Sequence, residues 1–165
     1  MSYLLSAGRG FAAVSLAVAL VSFGSAALAA PTLVAGDKPA VVTIGHHGRP
    51  ITGATDHVVS FNRGGTIYVS AGDVSKVVMG QTSHQGNVYT VTSFPGMDGS
   101  KTVTVTVGSK TATIDGKDVT MTAPPLTAYG NRLYVPITFF GSPGLKTKYT
   151  VSPDGSSGAI IIPQS

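Results

Sequence analysis

His46 and His47 stand side by side in the stretch GHHG. With His57, His84 and the thioethers of Met79, Met97 and Met121 they offer the imidazole and soft sulfur donors that copper or zinc would take. The spacing works against a shared ion. Neighbouring residues of a strand point to opposite faces, so the pair can reach one metal only where a turn bends both inward. No H-x-H or H-x3-H spacing occurs. Histidines exposed on turns and methionines filling a core account for the same residues without a metal.

Other chemistries find less. Ser83, His84 and Asp73 are the residue types of a nucleophilic triad, but no G-x-S-x-G turn presents the serine. Glycoside cleavage needs two facing carboxylates. The chain has seven aspartates and no glutamate, and Asp115, Asp118 and Asp154 fall in turn sequences, where aspartate shapes the backbone. No enzyme activity is expected. Tyr68, Tyr129, Tyr134, Phe139, Phe140 and Tyr149 could line a carbohydrate-binding face, yet regularly placed aromatics more often fill a core.

The elements that must position these residues follow from composition and patterning. The chain has 165 residues, 42% of them apolar, enough to bury one domain or two small ones. Only 11% are charged, against about 25% in ordinary soluble proteins. Polarity comes instead from Thr, Ser, Gly and Asn. Cysteine is absent, which removes disulfides, thiolate metal sites and a lipid anchor through an N-terminal cysteine. The formal net charge of +4 arises from scattered single residues, without the basic and aromatic stripe that nucleic acid would need.

Residues 1–29 read as a secretory signal peptide. Arg9 precedes the uncharged run Phe11 to Phe23, and small residues at Ala27 and Ala29 supply an A-x-A site, placing cleavage before Ala30. The run is too short to span a bilayer, so no membrane span is expected in the mature chain. Residues 30–39 then read as a flexible lead-in.

Period-2 alternation is clearest in KTVTVTVGSKTATIDGKDVTMTAPP, Lys101 to Pro125. Val103, Val105 and Val107 share one face and Thr102, Thr104 and Thr106 the other, the pattern of a half-buried antiparallel strand. Ala112 and Ile114 continue the apolar face. Asp115-Gly116 then supplies a two-residue hairpin turn, and Pro124-Pro125 ends the pairing. KYTV and AIII flank SPDGSSG in a closing hairpin.

Residues 40–95 repeat the order of 100–163. AVVTI and RPIT bracket GHHG as TATI and KDVTM bracket DG, and GGTIYV matches GNRLYV at the spacing of Tyr68 and Tyr134, 66 residues. After the first of these, SAGDVSKVVMG has a Ser or Asp cap, Val74, Val77 and Val78 at helical spacing, and Gly80 as a stop. After the second, ITFFGSPG carries two glycines and a proline that shorten or abolish the helix.

VTVTVGSKTATIDGKDVTMTAPPLTAYGNRLYVPI resembles the stalk-type domain named after the N-terminal domain of copper amine oxidases, a family also found in secreted bacterial proteins. The motif residues are Asp115, Gly116 and Lys117; Pro124 and Pro125; Gly130 and Arg132; and Tyr134, Val135 and Pro136. Thr138 stands where the family usually has an arginine, and its helix glutamate is missing. The resemblance implies a small antiparallel sheet wrapped around a helix, with neither the copper site nor the quinone of the oxidase, and so no cofactor.

The expected fold is α+β, mostly antiparallel β, as two half-repeats at about 40–95 and 100–163. Each is a small twisted sheet with a short helix, degenerate in the second. The function expected is that of a secreted, non-enzymatic cell-envelope or extracellular module that binds a cell-surface polymer or another protein chain. The alternative is a secreted metal-binding protein using His46, His47, His57 and His84. Self-association through Thr102 to Val107 is a further possibility, since this uncharged run would be sticky at a sheet edge and harmless in a sheet centre.

Overall fold

The computed structural model describes residues 33–46, 49–50, 60–76, 80–94, 101–145 and 147–162, apart from a few side chains. Alternation decides which side of each strand is buried. In β1 (Lys38–His46), Ala40, Val42 and Ile44 are buried while Val41 and Thr43 face solvent. In β7 (Lys101–Thr106), Val103 and Val105 are buried, and in β8 (Thr111–Ile114) Ala112 and Ile114 join them. Asp115 and Gly116, at φ 49° and 76°, make the tight turn into β9 (Lys117–Thr120), the left-handed pair that a type I′ hairpin requires.

The other strands are β2 (Arg49–Pro50), β3 (Ser60–Arg63), β4 (Thr66–Ser70), β5 (Gln81–Gln85), β6 (Val88–Phe94), β10 (Leu126–Ala128), β11 (Arg132–Pro136), β12 (Lys148–Val151) and β13 (Ser157–Ile162). They form two sheets. One is eight-stranded in the order β10-β11-β4-β3-β1-β13-β12, with β2 paired to β1; the other is five-stranded in the order β5-β6-β7-β8-β9. The fold is therefore α+β and mostly antiparallel. The exception is β1 with β13, parallel from Val41 opposite Ser157 to His46 opposite Ile162. Strands from both ends of the sequence thus share the larger sheet.

The run Thr102 to Val107 occupies the sheet centre rather than an edge. β7 pairs with β6 on one side and β8 on the other, so the backbone groups that self-association would need are already used. Assembly through this segment is ruled out for that reason.

The two IYV/LYV strands meet. β4 and β11 pair antiparallel with Val69 opposite Val135, Ser70 opposite Tyr134 and Tyr68 opposite Pro136. Each strand then enters a helical turn. After β4 comes α1 (Ala71–Lys76), capped by Ser70, whose Oγ accepts the N–H of Asp73 at 3.3 Å. After β11 comes a 3-10 turn, Ile137–Gly141. The glycines that end these turns answer to space. A Cβ on Gly80 would lie 2.5 Å from the Thr92 carbonyl oxygen, and one on Gly141 would lie 2.6 Å from the ring of Tyr149. The second turn stops where Ser142, the residue before Pro143, turns extended at φ −65° and ψ 144°, and the Tyr149 ring leaves no room for a side chain at Gly141.

One core draws on both sheets and both turns, with Ile44, Ile67, Val69, Val74, Val91, Val103, Val105, Val135, Phe139, Phe140 and Ile160 among its fully or nearly fully buried members. A second, smaller cluster of Phe61, Tyr68 and Tyr134 is backed by Leu33, Leu126 and Tyr129. Alternation along β4 and β11 sends their Val and Leu residues to the first and their tyrosines to the second.

Candidate functional site

The aromatic cluster is the most elaborate polar and aromatic assembly among the described residues. Phe61 stacks on Tyr68 with ring centroids 5.5 Å apart, tilts against Tyr134 at 5.0 Å and meets the edge of Tyr129 at 5.2 Å. These separations are those at which aromatic rings attract. Residues 33–37 close over it. The Tyr129 hydroxyl accepts the Val34 N–H at 3.0 Å and donates to Asp37 Oδ2 at 2.5 Å. Arg63 donates from Nε and its terminal nitrogen to the two oxygens of Asp37, at 2.6 and 2.8 Å, while its guanidinium lies 5.2 Å from the Phe61 ring centroid. A fork-to-carboxylate pair of this kind is the strong form of ion pair. The described part of the lead-in is therefore fastened to the domain.

Electrostatics follow the geometry. The Arg63 guanidinium holds the Asp37 carboxyl below its ordinary range, against the opposing effect of burial. Burial pushes the Tyr129 phenol up, and its hydrogen bond to Asp37 adds to this. Tyr134 is fully buried, its hydroxyl has no hydrogen-bond partner among the described residues, and its phenol is pushed up to about 12 by desolvation. These phenols stay neutral across physiological pH. The cluster clamps and packs; it has no activated nucleophile or base.

The residues singled out for chemistry do not converge here. His84 is exposed in β5 and stacks on Tyr89 with ring centroids 5.0 Å apart. Ser83, its neighbour, points to the other face of the same strand, and Asp73 sits in α1, where Arg132 reaches it at 3.4 Å. No triad forms. Met121 is buried in the large core. The backbone of His46 ends β1, opposite Arg49; its side chain, His47, His57, Met79 and Met97 lie outside the described residues. Among the described residues no three His, Cys, Asp or Glu groups stand close enough to share a metal ion. Of the aromatics, Tyr68, Tyr134, Phe139 and Phe140 are buried, which removes them from any carbohydrate platform; Tyr149 is partly exposed.

The motif residues hold the fold. Asp115 accepts the Thr102 N–H at 2.9 Å and the Lys101 ammonium at 2.7 Å, closing the β8–β9 turn onto β7. Lys117 follows as the exposed first residue of β9. The Pro124 carbonyl accepts the Tyr68 hydroxyl at 3.3 Å, and the Pro125 carbonyl accepts the Gly108 N–H at 2.9 Å. Gly130, at φ 84°, shares the left-handed β10–β11 loop with Tyr129 and Asn131. Arg132 ties β11 to α1, and Tyr134, Val135 and Pro136 are buried along it. The sequence model of the copper amine oxidase N-terminal domain matches residues 51–162. The chain belongs to that family. The N-terminal domain of copper amine oxidase is a non-catalytic accessory domain, in keeping with motif residues spent on turns and packing. No curated protein and no solved structure matches the chain.

Of the solvent face of the five-stranded sheet, the sequence shows only the Thr102, Thr104 and Thr106 side of its central strand; the alignment of the other strands with it is seen only in the register. Register places Ser83, Thr90, Thr104, Thr113 and Asp118 in one row across all five strands. Thr92, Thr102, Thr106, Thr111 and Thr120 lie exposed around that row. Neighbouring strands are ~4.8 Å apart and same-face residues ~6.8 Å along a strand, so the hydroxyls form a near-regular grid. Asp118 alone brings a charge to that row.

Proposed function

We propose that this member of the family is an exported, non-enzymatic module that attaches to a cell-surface polymer through the threonine face of its five-stranded sheet. The leader-like order of residues 1–29 supports export, and a non-catalytic family supports a binding or structural task. The observation that carries the reading is the row Ser83–Thr90–Thr104–Thr113. It is a broad hydroxyl surface whose row carries a single charge, Asp118 at its β9 end, suited to the hydroxyls of a polysaccharide through many weak, partly water-mediated hydrogen bonds. No helix among the described residues is long and apolar enough to cross a membrane.

Sedimentation with isolated bacterial cell walls tests it. Wild type is expected in the pellet, and the double substitution Thr104→Lys with Thr113→Lys is expected to weaken retention at least about tenfold, or ~1.4 kcal/mol. Protein left wholly in the supernatant would discard the polymer as partner. N-terminal sequencing of exported material, expected to begin at Ala30, tests export separately; retention of Phe11 to Phe23 would reject the soluble form.

The chain also reads as an internal duplication. Adding 66 to Tyr68, Val69 and Ser70 gives Tyr134, Val135 and Pro136, and the β4–β11 pairing maps onto itself under that shift. Superposition of the two halves in a crystal structure is the check: strands β3 to β6 failing to overlay β10 to β13 would reject it.

A further inference from the structure

We infer that β5 is a self-pairing edge through which two copies of this chain join their five-stranded sheets. Every residue of β5, Gln81 to Gln85, is exposed, and among the described residues no strand lies on its outer side. Sheet edges are ordinarily guarded by lysine, proline, bulges or very short strands. The other edges here follow that habit. β10 has three residues and follows Pro124-Pro125; β9 carries Lys117 and Asp118; β12 begins at Lys148 and is closed by Pro153; β2 contains Pro50. β5 reads QTSHQ, with no lysine, arginine, aspartate, glutamate or proline, and regular pairing to β6 throughout.

Hydrogen-bond parity says which groups are free. Val107 donates to the Asn87 carbonyl at 2.9 Å, so Asn87, Tyr89 and Val91 bond toward β7. Val88, Thr90 and Thr92 then bond β5 through Gln85, Ser83 and Gln81. The N–H and C=O groups of Thr82 and His84 consequently point outward. An antiparallel copy centred on Ser83 pairs Thr82 with His84 of the other copy, and His84 with its Thr82, using all four outward groups on each side. Ser83 faces its own equivalent on the two-fold axis. Gln81 faces Gln85 of the other copy, and two side-chain amides are self-complementary donors and acceptors. Symmetric, isologous contacts of this kind are the commonest route to a homodimer. The strand has no Lys, Arg, Asp or Glu, and the register sets His84 against Thr82 of the other copy rather than against its own equivalent. The joined sheet would run ten strands, with the threonine rows of the two copies continuous across the axis. This rests on the edge alone and stands whether or not that face binds a polymer.

Ser83 on the axis makes the test sharp, because the chain has no cysteine. A non-hydrogen-bonded antiparallel pair has Cα atoms ~4.5 Å apart, within the range a disulfide spans. The full chain, purified as its host processes it, carries either Ser83→Cys or Thr106→Cys and is exposed to mild oxidant. The first is expected to crosslink into a two-chain species at least tenfold faster than the second, which lies on the same face three strands from the axis by register. Light scattering of wild type across a concentration series is expected to rise from one chain mass to two. Ser83→Lys and Ser83→Glu should each stay monomeric, and their mixture should recover the dimer. Hydrogen exchange on wild type needs no variant: the Thr82 and His84 amides should slow as concentration rises. A wild type monomeric throughout, equal crosslinking of the two cysteine variants, or concentration-independent exchange at Thr82 and His84 would each overturn the inference.

Discussion

The large core and the small aromatic cluster meet on opposite faces of β4 and β11, with β3 and β10 adding to the cluster alone, and they are held differently. The core is a meeting of two sheets whose Val, Ile and Phe residues leave water together, so its strength is apolar area and close packing. The cluster is three buried rings closed from outside by residues 33–37 through Asp37, Arg63 and Tyr129. Its closure is electrostatic. One domain thus contains a region indifferent to pH and a region with a titratable latch.

Four measurements would break or sharpen that contrast. Phe140→Ala, at a fully buried position of the core, is expected to cost about 3–5 kcal/mol in chemical denaturation with no dependence on pH. A loss under about 1 kcal/mol would mean the core can collapse around the gap. Asp37→Asn should cost about 1–3 kcal/mol, the worth of a buried charge-assisted bond. Its pH signature matters more. The folded-state pKa of Asp37 is lowered from 3.8, so its contribution is fully present above that value and disappears as pH falls through the lower folded value. Wild type should lose more stability than Asp37→Asn on acidification below pH 4, and parallel curves would reject the latch. Asp115 shifts in the same direction but is exposed, so Asp115→Asn serves as the weaker control.

The next effect reverses sign. Tyr134→Phe deletes a buried hydroxyl that has no partner among the described residues, so stability should stay level or rise by up to about 1 kcal/mol; a clear loss would show that the hydroxyl is bonded in solution. The smallest effect is at Thr104→Lys, on the solvent face of a central strand. It should move stability by no more than about 0.5 kcal/mol and leave the apparent mass unchanged.

Legibility in the sequence followed burial. The β7–β8–β9 segment could be read because one face is buried and the other wet, so valine and threonine alternate, and because Asp115-Gly116 marks a turn only a left-handed backbone can make. The closing hairpin and the GHHG hairpin were readable for related reasons. β5 could not be read: QTSHQ is exposed on both faces, so no period is written into it. The parallel pairing of β1 with β13 is invisible locally, since each strand resembles any other apolar run. The latch left no trace either. Asp37, Arg63 and Tyr129 are scattered polar residues brought together across 26 and 92 positions, and no spacing rule links them. Nor does the order of threonines reveal that their strands align in register.

The β1–β13 pairing bears on how the chain reaches its fold. Val41 cannot find Ser157 until nearly all of the intervening sequence has been synthesised. Until then the side of β1 turned away from β3 has no strand to bond, and the larger sheet ends at β1. Pairing over such a separation is slow, because the entropy of closing the chain is lost before the contacts form. In a nascent chain of this design the five-stranded sheet, made of consecutive strands, can form first, and the larger sheet is completed last, when β13 arrives.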